Sequence, residues 1–189
     1  EELLGDKQYD SINGIAHTRW ATHGEPTNLN AHPHLDEASE IALVHNGIIE
    51  NYRTLKQFLV RKGFRILTQT DTEILVHLIR FYYDGNLTEA VRTALTQVEG
   101  TYAVAVISSL HPGEIIASRM GVPLVLGHGN DENFVASDVS AMLEHTNRVV
   151  YLTDGEIATV TADDYKITTI HNVKITPKIE EVIWTLDKI

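Results

Sequence analysis

Cysteine is absent from the 189 residues of this chain, and its absence excludes several kinds of chemistry. The chain can form no disulfide, no thiolate metal site and no cysteine nucleophile from its own residues. Long apolar runs are missing too: no stretch of about 18 apolar residues occurs, so the sequence predicts no membrane span. A chain without cysteine fits a cytoplasmic protein, which is the location that we expect.

Basic residues are also scarce. Fifteen lysines and arginines are outnumbered by 26 aspartates and glutamates, which gives a formal net charge of −11. Domains that bind nucleic acid present a basic face to the phosphate backbone. We therefore expect no nucleic-acid partner.

The remaining composition is that of an ordinary globular chain. Hydrophobic residues make up 43% and charged residues 22%, which is close to the averages for folded domains and supplies a sizeable core. The chain contains no internal repeat, low-complexity segment or Pro/Gly/Ser-rich linker. We therefore interpret residues 1–189 as one domain.

Capping and turn residues divide the chain into a helical part and a strand-rich part. Helices are predicted over residues 51–62, 70–82 and 86–98, capped by Asn51, by the sequence TDTE and by Asn86. Short strands are predicted at residues 14–19 and 41–45, and several more follow Gly100. The run RVVYLTDGEIATV predicts a hairpin turning at Asp154-Gly155. This pattern indicates an α+β protein in which helices pack outside an antiparallel sheet.

Three polar clusters contain the residues that can perform chemistry. They are HTRWATHG at residues 17–24, AHPH at 31–34 with HNGIIEN at 45–51, and TQTDTE at 68–73. Each lies at the end of a strand-like or helical segment, where functional residues are common.

Arg19 lies in the first cluster. A guanidinium is a planar fork that binds a carboxylate through two hydrogen bonds, and Thr22 and His23 add a hydroxyl and an imidazole beside it. This set is suited to the α-carboxylate of an amino acid. The alternative is a surface arginine in a structural ion pair, which stabilises little.

Asn46-Gly47 is the second candidate. An asparagine amide and the following backbone N–H can both point at one developing oxyanion, and glycine permits close backbone approach. The alternative is a plain Asn-Gly turn after the strand at residues 41–45.

Asp71 has two possible roles. It can belong to the helix cap, or its carboxylate can face an ammonium group while Thr70 performs the capping. The sequence leaves both roles open.

Five histidines within about thirty residues raise the question of a metal: His17, His23, His32, His34 and His45. No HExxH or cysteine–histidine spacing accompanies them. Asp36, Glu37 and Glu40 can supply oxygen ligands, but they lie in the exposed-looking sequence DEASE. We therefore predict no metal site, and interpret most of these histidines as neutral and hydrogen-bonded inside the fold.

Taken together, the motifs resemble one family. HTRWATHG, NAHPH, HNGIIEN and TDTE, in this order and spacing, are similar to the glutaminase domain of the glutamine–fructose-6-phosphate aminotransferases, and EGTYAVAVI, SRMGVPLVLG, FVASD and YLTDGEIA are similar to its second half. Other class II amidotransferases, such as amidophosphoribosyltransferase, carry looser versions. The resemblance covers nearly the whole chain.

The resemblance implies a fold and a set of roles. The fold is the N-terminal-nucleophile hydrolase arrangement, a four-layer αββα sandwich with antiparallel sheets. Arg19, supported by Thr22 and His23, binds the α-carboxylate of L-glutamine, and Asp71 binds its α-ammonium. Asn46 and the N–H of Gly47 form the oxyanion hole, and Trp20 lies in the loop that closes over glutamine and gates ammonia passage. No cofactor is implied.

One departure from the family is large. Its nucleophile is a cysteine at the mature N-terminus, whereas this chain begins with Glu1 and contains no cysteine. We expect a fragment that lacks the N-terminal strands, the cysteine and the sugar-isomerase domains of a homo-oligomeric enzyme, and that is inactive alone. The alternative is a non-catalytic glutamine-binding regulatory module.

Overall fold

The computed structural model describes residues 11–18 and 24–183. Among these residues, no helix is both long enough and apolar enough to cross a bilayer. The described helices and strands are β1 (His34–Leu35), β2 (Ile41–Ile49), α1 (Tyr52–Arg61), α2 (Asp71–Tyr82), α3 (Leu87–Leu95), β3 (Gly100–Ser108), β4 (His111–Met120), β5 (Val125–His128), β6 (Asn133–Ala136), β7 (Arg148–Tyr151), β8 (Glu156–Val160), β9 (Tyr165–Thr169), β10 (Lys174–Ile175) and β11 (Glu180–Glu181), with short 3-10 helices at Asn28–Asn30 and Val139–Met142.

The strands form two antiparallel sheets. The larger has the order β1-β2-β3-β4-β8-β9-β10, and the smaller has the order β11-β7-β5-β6. The three helices cover one face of the larger sheet, and the smaller sheet covers the other. The α+β arrangement predicted from the sequence is therefore confirmed.

The core between the helices and the larger sheet follows from the two-residue period of the strands. Apart from Gly47 and Gly100, which are partly exposed, every second residue of β2 and β3 points toward the helices and is buried. Helix α2 is apolar around most of its circumference. The buried strand residues on this face include Ile41, Leu43, Ile49, Tyr102, Val104 and Val106.

The core between the two sheets uses the opposite faces of the same strands. The larger sheet contributes small residues there, Ala103, Ala117 and Ala158, which pack against larger side chains from the smaller sheet such as Leu126 and Val150. On the outer face of the smaller sheet, Met142 of the second 3-10 helix packs against Val125 and Val149. In the described residues this short helix is all that forms the fourth layer.

The predicted hairpin at Asp154-Gly155 is wrong. Strand β7 belongs to the smaller sheet and β8 to the larger one, so the connection passes from one sheet to the other. Asp154 Oδ1 accepts hydrogen bonds from Arg119 Nη2 at 2.8 Å and from the Gly121 N–H at 2.9 Å. These contacts hold the crossing against the end of β4, and a two-residue hairpin would not allow them.

The three predicted helices are confirmed, but their caps differ. Thr70 accepts a hydrogen bond from the Glu73 N–H, and Asn86 accepts one from the Glu89 N–H, as their sequences predict. Asn51 does not cap α1 with its side chain. Its carboxamide instead donates to the Gln97 carbonyl and accepts from the Glu99 N–H, which ties α1 to the entry of β3.

Strand β2 is longer than predicted, because Asn46-Gly47 lies inside it rather than in a turn after it. Gly47 pairs with Tyr102 of β3 and has φ of 127°. A Cβ at this position would lie 2.9 Å from the Cα of Tyr102 and closer still to the carbonyl of Thr101. The strand thus continues through the motif because residue 47 has no side chain. The predicted strand at residues 14–19 is absent from its described part, residues 14–18.

We expect Gly47→Ala to destabilise the fold by about 3 kcal/mol or more, because it combines positive-φ strain with a backbone clash. Urea unfolding followed by circular dichroism measures this change. Gly14→Ala is the matched control, since a Cβ there meets nothing within 4 Å, and its effect should be below about 0.5 kcal/mol. Equal stability of the two variants would contradict the role given to Gly47.

Candidate functional site

The residues proposed from the sequence divide into two groups. Arg19, Trp20, Thr22 and His23 lie outside the described residues. Asn46, Gly47 and Asp71 are described, and all three belong to or contact strand β2.

Asn46 faces a cleft of about 450 Å³ between the two sheets. The alternation of β2 directs its side chain to this face, opposite the buried neighbours that pack on α2. The cleft is lined by residues 16–18, by Val44, His45, Asn46, Ala103, Val104 and Ala105 of the larger sheet, and by Leu124, Val135, Ala136, Ser137 and Ala141 on the other side. A polar amide therefore stands on an otherwise mostly apolar wall.

His17 holds the oxygen end of this amide. Its Nε2 lies 2.8 Å from Asn46 Oδ1, and because a carbonyl oxygen only accepts, Nε2 must be the donor. Among the described residues, Asn46 Nδ2 makes no hydrogen bond. The structure thus leaves the N–H end of the amide available at the cleft.

Three further histidines bind threonine hydroxyls. His32 Nε2 and His45 Nδ1 lie 3.3 and 3.1 Å from Thr72 Oγ1, and His34 Nε2 lies 3.1 Å from Thr70 Oγ1. Among the residues that the structure describes, no three His, Asp or Glu side chains are grouped so that they can hold a metal ion. The hydrogen-bonded interpretation of these histidines is therefore the one that the geometry supports.

The outer edge of β2 presents backbone N–H groups to side chains. Within the described residues β1 pairs with only Ala42 and Leu43, so the edge beyond them carries no strand. The His45 N–H donates to His32 Nδ1 at 3.3 Å, and the Ile49 N–H donates to Asp71 Oδ2 at 2.8 Å. Because alternate N–H groups of a strand share one edge, the N–H of Gly47 points to this edge, between those two contacts.

Asp71 is the first residue of α2 and is only 4% exposed. Since Thr70 provides the helix cap, the Asp71 carboxylate is not needed for capping and instead accepts the hydrogen bond from Ile49. It does not line the cleft at Asn46, but it contacts the same strand three residues further along. Asn46, Gly47 and the Ile49 N–H that Asp71 binds therefore lie close together along β2.

Glu73 is a buried residue whose role the sequence did not indicate. Its carboxylate accepts hydrogen bonds at 2.7 Å from the Leu67 N–H, the Thr68 N–H and the Thr68 hydroxyl. Burial alone would raise its pKa, but His77 and these three donors outweigh that effect and lower the pKa to about 2. Glu73 thus fixes the segment that leads into Asp71, and no sequence signal beyond the capping box pointed to it.

Asp36 is a second residue whose environment the sequence analysis predicted wrongly. The DEASE loop looked exposed, yet Asp36 is 3% exposed. Its Oδ1 accepts from the N–H groups of Glu40 and Ile41, and its Oδ2 lies 3.5 Å from Arg80 Nε. Asp36 therefore closes the turn that starts β2 and is not a ligand candidate.

Comparison with known protein families identifies the family of this chain. The family described as "Glutamine amidotransferase domain" matches residues 7–182. The chain belongs to this family. The candidate oxyanion residues Asn46 and Gly47 therefore lie in a chain of the glutamine amidotransferase family.

Curated relatives agree with the resemblance noted in the sequence. Glutamine–fructose-6-phosphate aminotransferase (isomerizing) from Chlorobaculum tepidum is 50% identical, and the alignment covers 100% of this chain and 32% of that protein. The protein of the same name from a strain of Thermus thermophilus is 48% identical, covering 98% of this chain and 31% of the relative. The chain spans about a third of the length of these relatives.

Two solved structures share the fold. Glutamine phosphoribosylpyrophosphate amidotransferase from B. subtilis, complexed with ADP and GMP, superposes with a TM-score of 0.70 at 28% identity. The allosteric regulatory enzyme of purine biosynthesis gives a TM-score of 0.70 at 30% identity. Each superposition covers 82% of this chain and 34% of the other. The predicted N-terminal-nucleophile hydrolase fold is thereby confirmed.

The depressed pKa of Glu73 generates a pH prediction. Because its pKa in the folded state lies below the ordinary value of 4.5, Glu73 stabilises the fold above that pH, and this contribution is lost as the pH falls toward about 2. We expect Glu73→Gln to reduce the free energy of unfolding by about 2 kcal/mol at pH 7, since charge-assisted hydrogen bonds are lost, and by less at pH 3.

Urea unfolding at the two pH values measures this difference. Glu144→Gln is the control, because Glu144 is exposed and its replacement should change stability by less than about 0.5 kcal/mol. A Glu73→Gln effect that stays constant with pH would show that the carboxylate charge is not what stabilises this segment.

Proposed function

We propose that this domain binds L-glutamine against the outer edge of β2 and serves as the glutamine-hydrolysing part of an aminotransferase. Arg19 binds the α-carboxylate through two hydrogen bonds, and Thr22 and His23 support this contact. Asp71 pairs with the α-ammonium. Asn46 Nδ2 and the Gly47 N–H receive the side-chain carbonyl oxygen.

The observation that carries this proposal is the fixed orientation of Asn46 beside Gly47. When a nucleophile attacks the glutamine carboxamide, negative charge develops on its oxygen, and donors already aimed at that position lower the barrier. Asn46 has its oxygen occupied by His17, which leaves N–H groups for the substrate. Gly47 lies next to it on the strand, on an edge that no described strand covers.

Asp71 suits an ammonium because its position is already set. The Ile49 N–H occupies one lone pair of Oδ2, and a carboxylate has about four such sites. The remaining lone pairs can accept from an ammonium without moving the side chain. A rigid partner loses little entropy on binding, which favours affinity for the zwitterion.

The reaction itself needs a nucleophile that this chain does not contain. In the whole enzyme, we propose that a cysteine thiol adds to the carboxamide and its proton passes to the nitrogen, which leaves as ammonia. Water then hydrolyses the glutamyl thioester to glutamate, and Trp20 gates the passage of ammonia to fructose 6-phosphate, giving glucosamine 6-phosphate. The sugar chemistry is performed by sugar-isomerase domains of the same polypeptide, and the full enzyme is a homo-oligomer. The shared name of the curated relatives supports this assignment.

A glutamine-binding regulatory module is the second candidate, because it needs the binding residues but no nucleophile. Both candidates bind glutamine, so binding does not separate them. An assay of glutamate release by the protein isolated from its natural host separates them. The enzyme releases glutamate from glutamine, and the regulatory module leaves glutamine intact.

We expect Asp71→Asn to weaken glutamine binding at least about tenfold, because the charge pair with the ammonium is lost. Asparagine keeps a carbonyl oxygen for the Ile49 N–H, so the fold should survive. Calorimetric titration with glutamine measures the affinity, and Asp84→Asn, an exposed position, is the matched control. Unchanged affinity in Asp71→Asn would remove the ammonium assignment.

A second expectation concerns turnover. The 189-residue protein should bind glutamine but release no glutamate above the buffer rate, since no thiol is present to form the acyl intermediate. An enzyme-coupled glutamate assay at high protein concentration checks this. Release that depends on Asn46 would show that another group acts as the nucleophile.

A further inference from the structure

His17 has a function that neither the motif nor the family comparison assigns. We propose that His17 is a positioning residue: its Nε2–H fixes the oxygen end of the Asn46 carboxamide and so aims the Asn46 N–H donors at the glutamine carbonyl. The inference rests on the proposed function, because it concerns the same oxyanion site.

The need for such a residue comes from the symmetry of the asparagine side chain. The oxygen and nitrogen ends of a carboxamide have nearly the same size and shape, and only hydrogen-bond partners distinguish them. If Asn46 were flipped, it would present an acceptor to the substrate oxygen and repel the developing charge. The hydrogen bond of 2.8 Å from His17 Nε2 to Asn46 Oδ1 opposes that flip.

The position of the proton on His17 is itself constrained. His17 Nδ1 is buried and has no hydrogen-bond partner among the described residues. A proton there would be a buried donor without an acceptor, which is more costly than a bare ring nitrogen. The neutral tautomer with its proton on Nε2 is therefore favoured, and this is the tautomer that Asn46 Oδ1 requires.

A second histidine holds the ring of His17 in place. The His17 and His32 rings lie 4.3 Å apart between centroids, tilted by 32°. The His45 N–H donates to His32 Nδ1, so this nitrogen is bare, and the proton on His32 Nε2 is directed to Thr72 Oγ1. The backbone of β2 thus fixes the tautomer of His32, which forms the wall against which His17 packs.

This arrangement links the two halves of the proposed glutamine site. Thr72 follows Asp71 in the first turn of α2, and His17 contacts Asn46 at the cleft. The path from Asn46 through His17 and His32 to Thr72 consists of side chains that need not touch glutamine. His17 therefore acts through Asn46, and its loss should affect the recognition of the carboxamide more than that of the zwitterion.

Two ligands separate positioning from a general structural role. L-glutamine carries the carboxamide, whereas L-norvaline has the same zwitterion and a similar chain length without it. In calorimetric titrations we expect His17→Leu to weaken glutamine binding about tenfold, the loss typical of a misdirected hydrogen bond, and to leave norvaline binding within about twofold. A structural role would weaken both ligands equally, and that result would overturn the proposal.

Conservative variants complete the set. His17→Gln places an N–H donor near the position of Nε2 and should restore most of the glutamine affinity. His17→Asn places its amide near the position of Nδ1, too short to reach Asn46, and should behave like His17→Leu. If His17→Leu does not fold, comparing the glutamine affinities of the variants His17→Gln and His17→Asn makes the same test.

Nitrogen NMR of the imidazole tests the geometry without any ligand. We expect the His17 proton on Nε2 and a bare Nδ1, and we expect the side-chain amide signal of Asn46 to shift in His17→Leu but not in His17→Gln. A proton on Nδ1 would overturn the proposal. If the unmodified protein fails to bind glutamine, the proposed function fails, while the NMR result still decides whether His17 orients Asn46.

Discussion

The pairing of β2 with β3 through Gly47 is the constraint on which the site depends. One edge of β2 is joined to β3 along its whole length, from Ile41 to Ile49, and this joining requires a residue without a Cβ at position 47. The opposite edge is then held straight and presents its alternate N–H groups to His32 and Asp71. A turn at Asn46-Gly47 would rotate these groups away from each other, so a single glycine aligns the whole edge.

Sequence reasoning succeeded where the cause was local. The helix that begins at Asp71, its cap at Thr70 and the strand character of residues 41–45 all follow from nearest-neighbour chemistry. It failed where a distant contact decided the outcome. Asp154-Gly155 has the composition of a hairpin turn, but Arg119 holds Asp154 and directs the chain into another sheet. No local pattern encodes a partner so far away in the sequence.

The candidate site shows the same division. Asn46 and Gly47 were singled out because an amide and the following N–H can point at one oxyanion, and Asp71 because its carboxylate can face an ammonium group. The structure places Asn46 and Gly47 in β2 and Asp71 in contact with that strand. His17 and Thr72 were missed as a pair, because a histidine and a threonine far apart in the chain carry no joint signal until folding brings both to His32. The role of Glu73 was missed for another reason. Its position in a capping box gave it an apparent role in the helix cap, whereas its carboxylate accepts hydrogen bonds from the preceding loop.

The charge at the start of α2 adds a final argument for an ammonium partner. Asp71 and Glu73 both lie in the first helical turn, where backbone N–H groups stabilise negative charge. The Glu73 carboxylate accepts hydrogen bonds from three donors in the loop, which stabilise its charge within the fold. Asp71 receives one backbone donor in the described structure, which leaves most of its charge to attract a cation. A zwitterion whose positive end reaches Asp71 while its carbonyl reaches Asn46 satisfies both groups at once, whereas a ligand without an ammonium group can pair with Asn46 but not with Asp71.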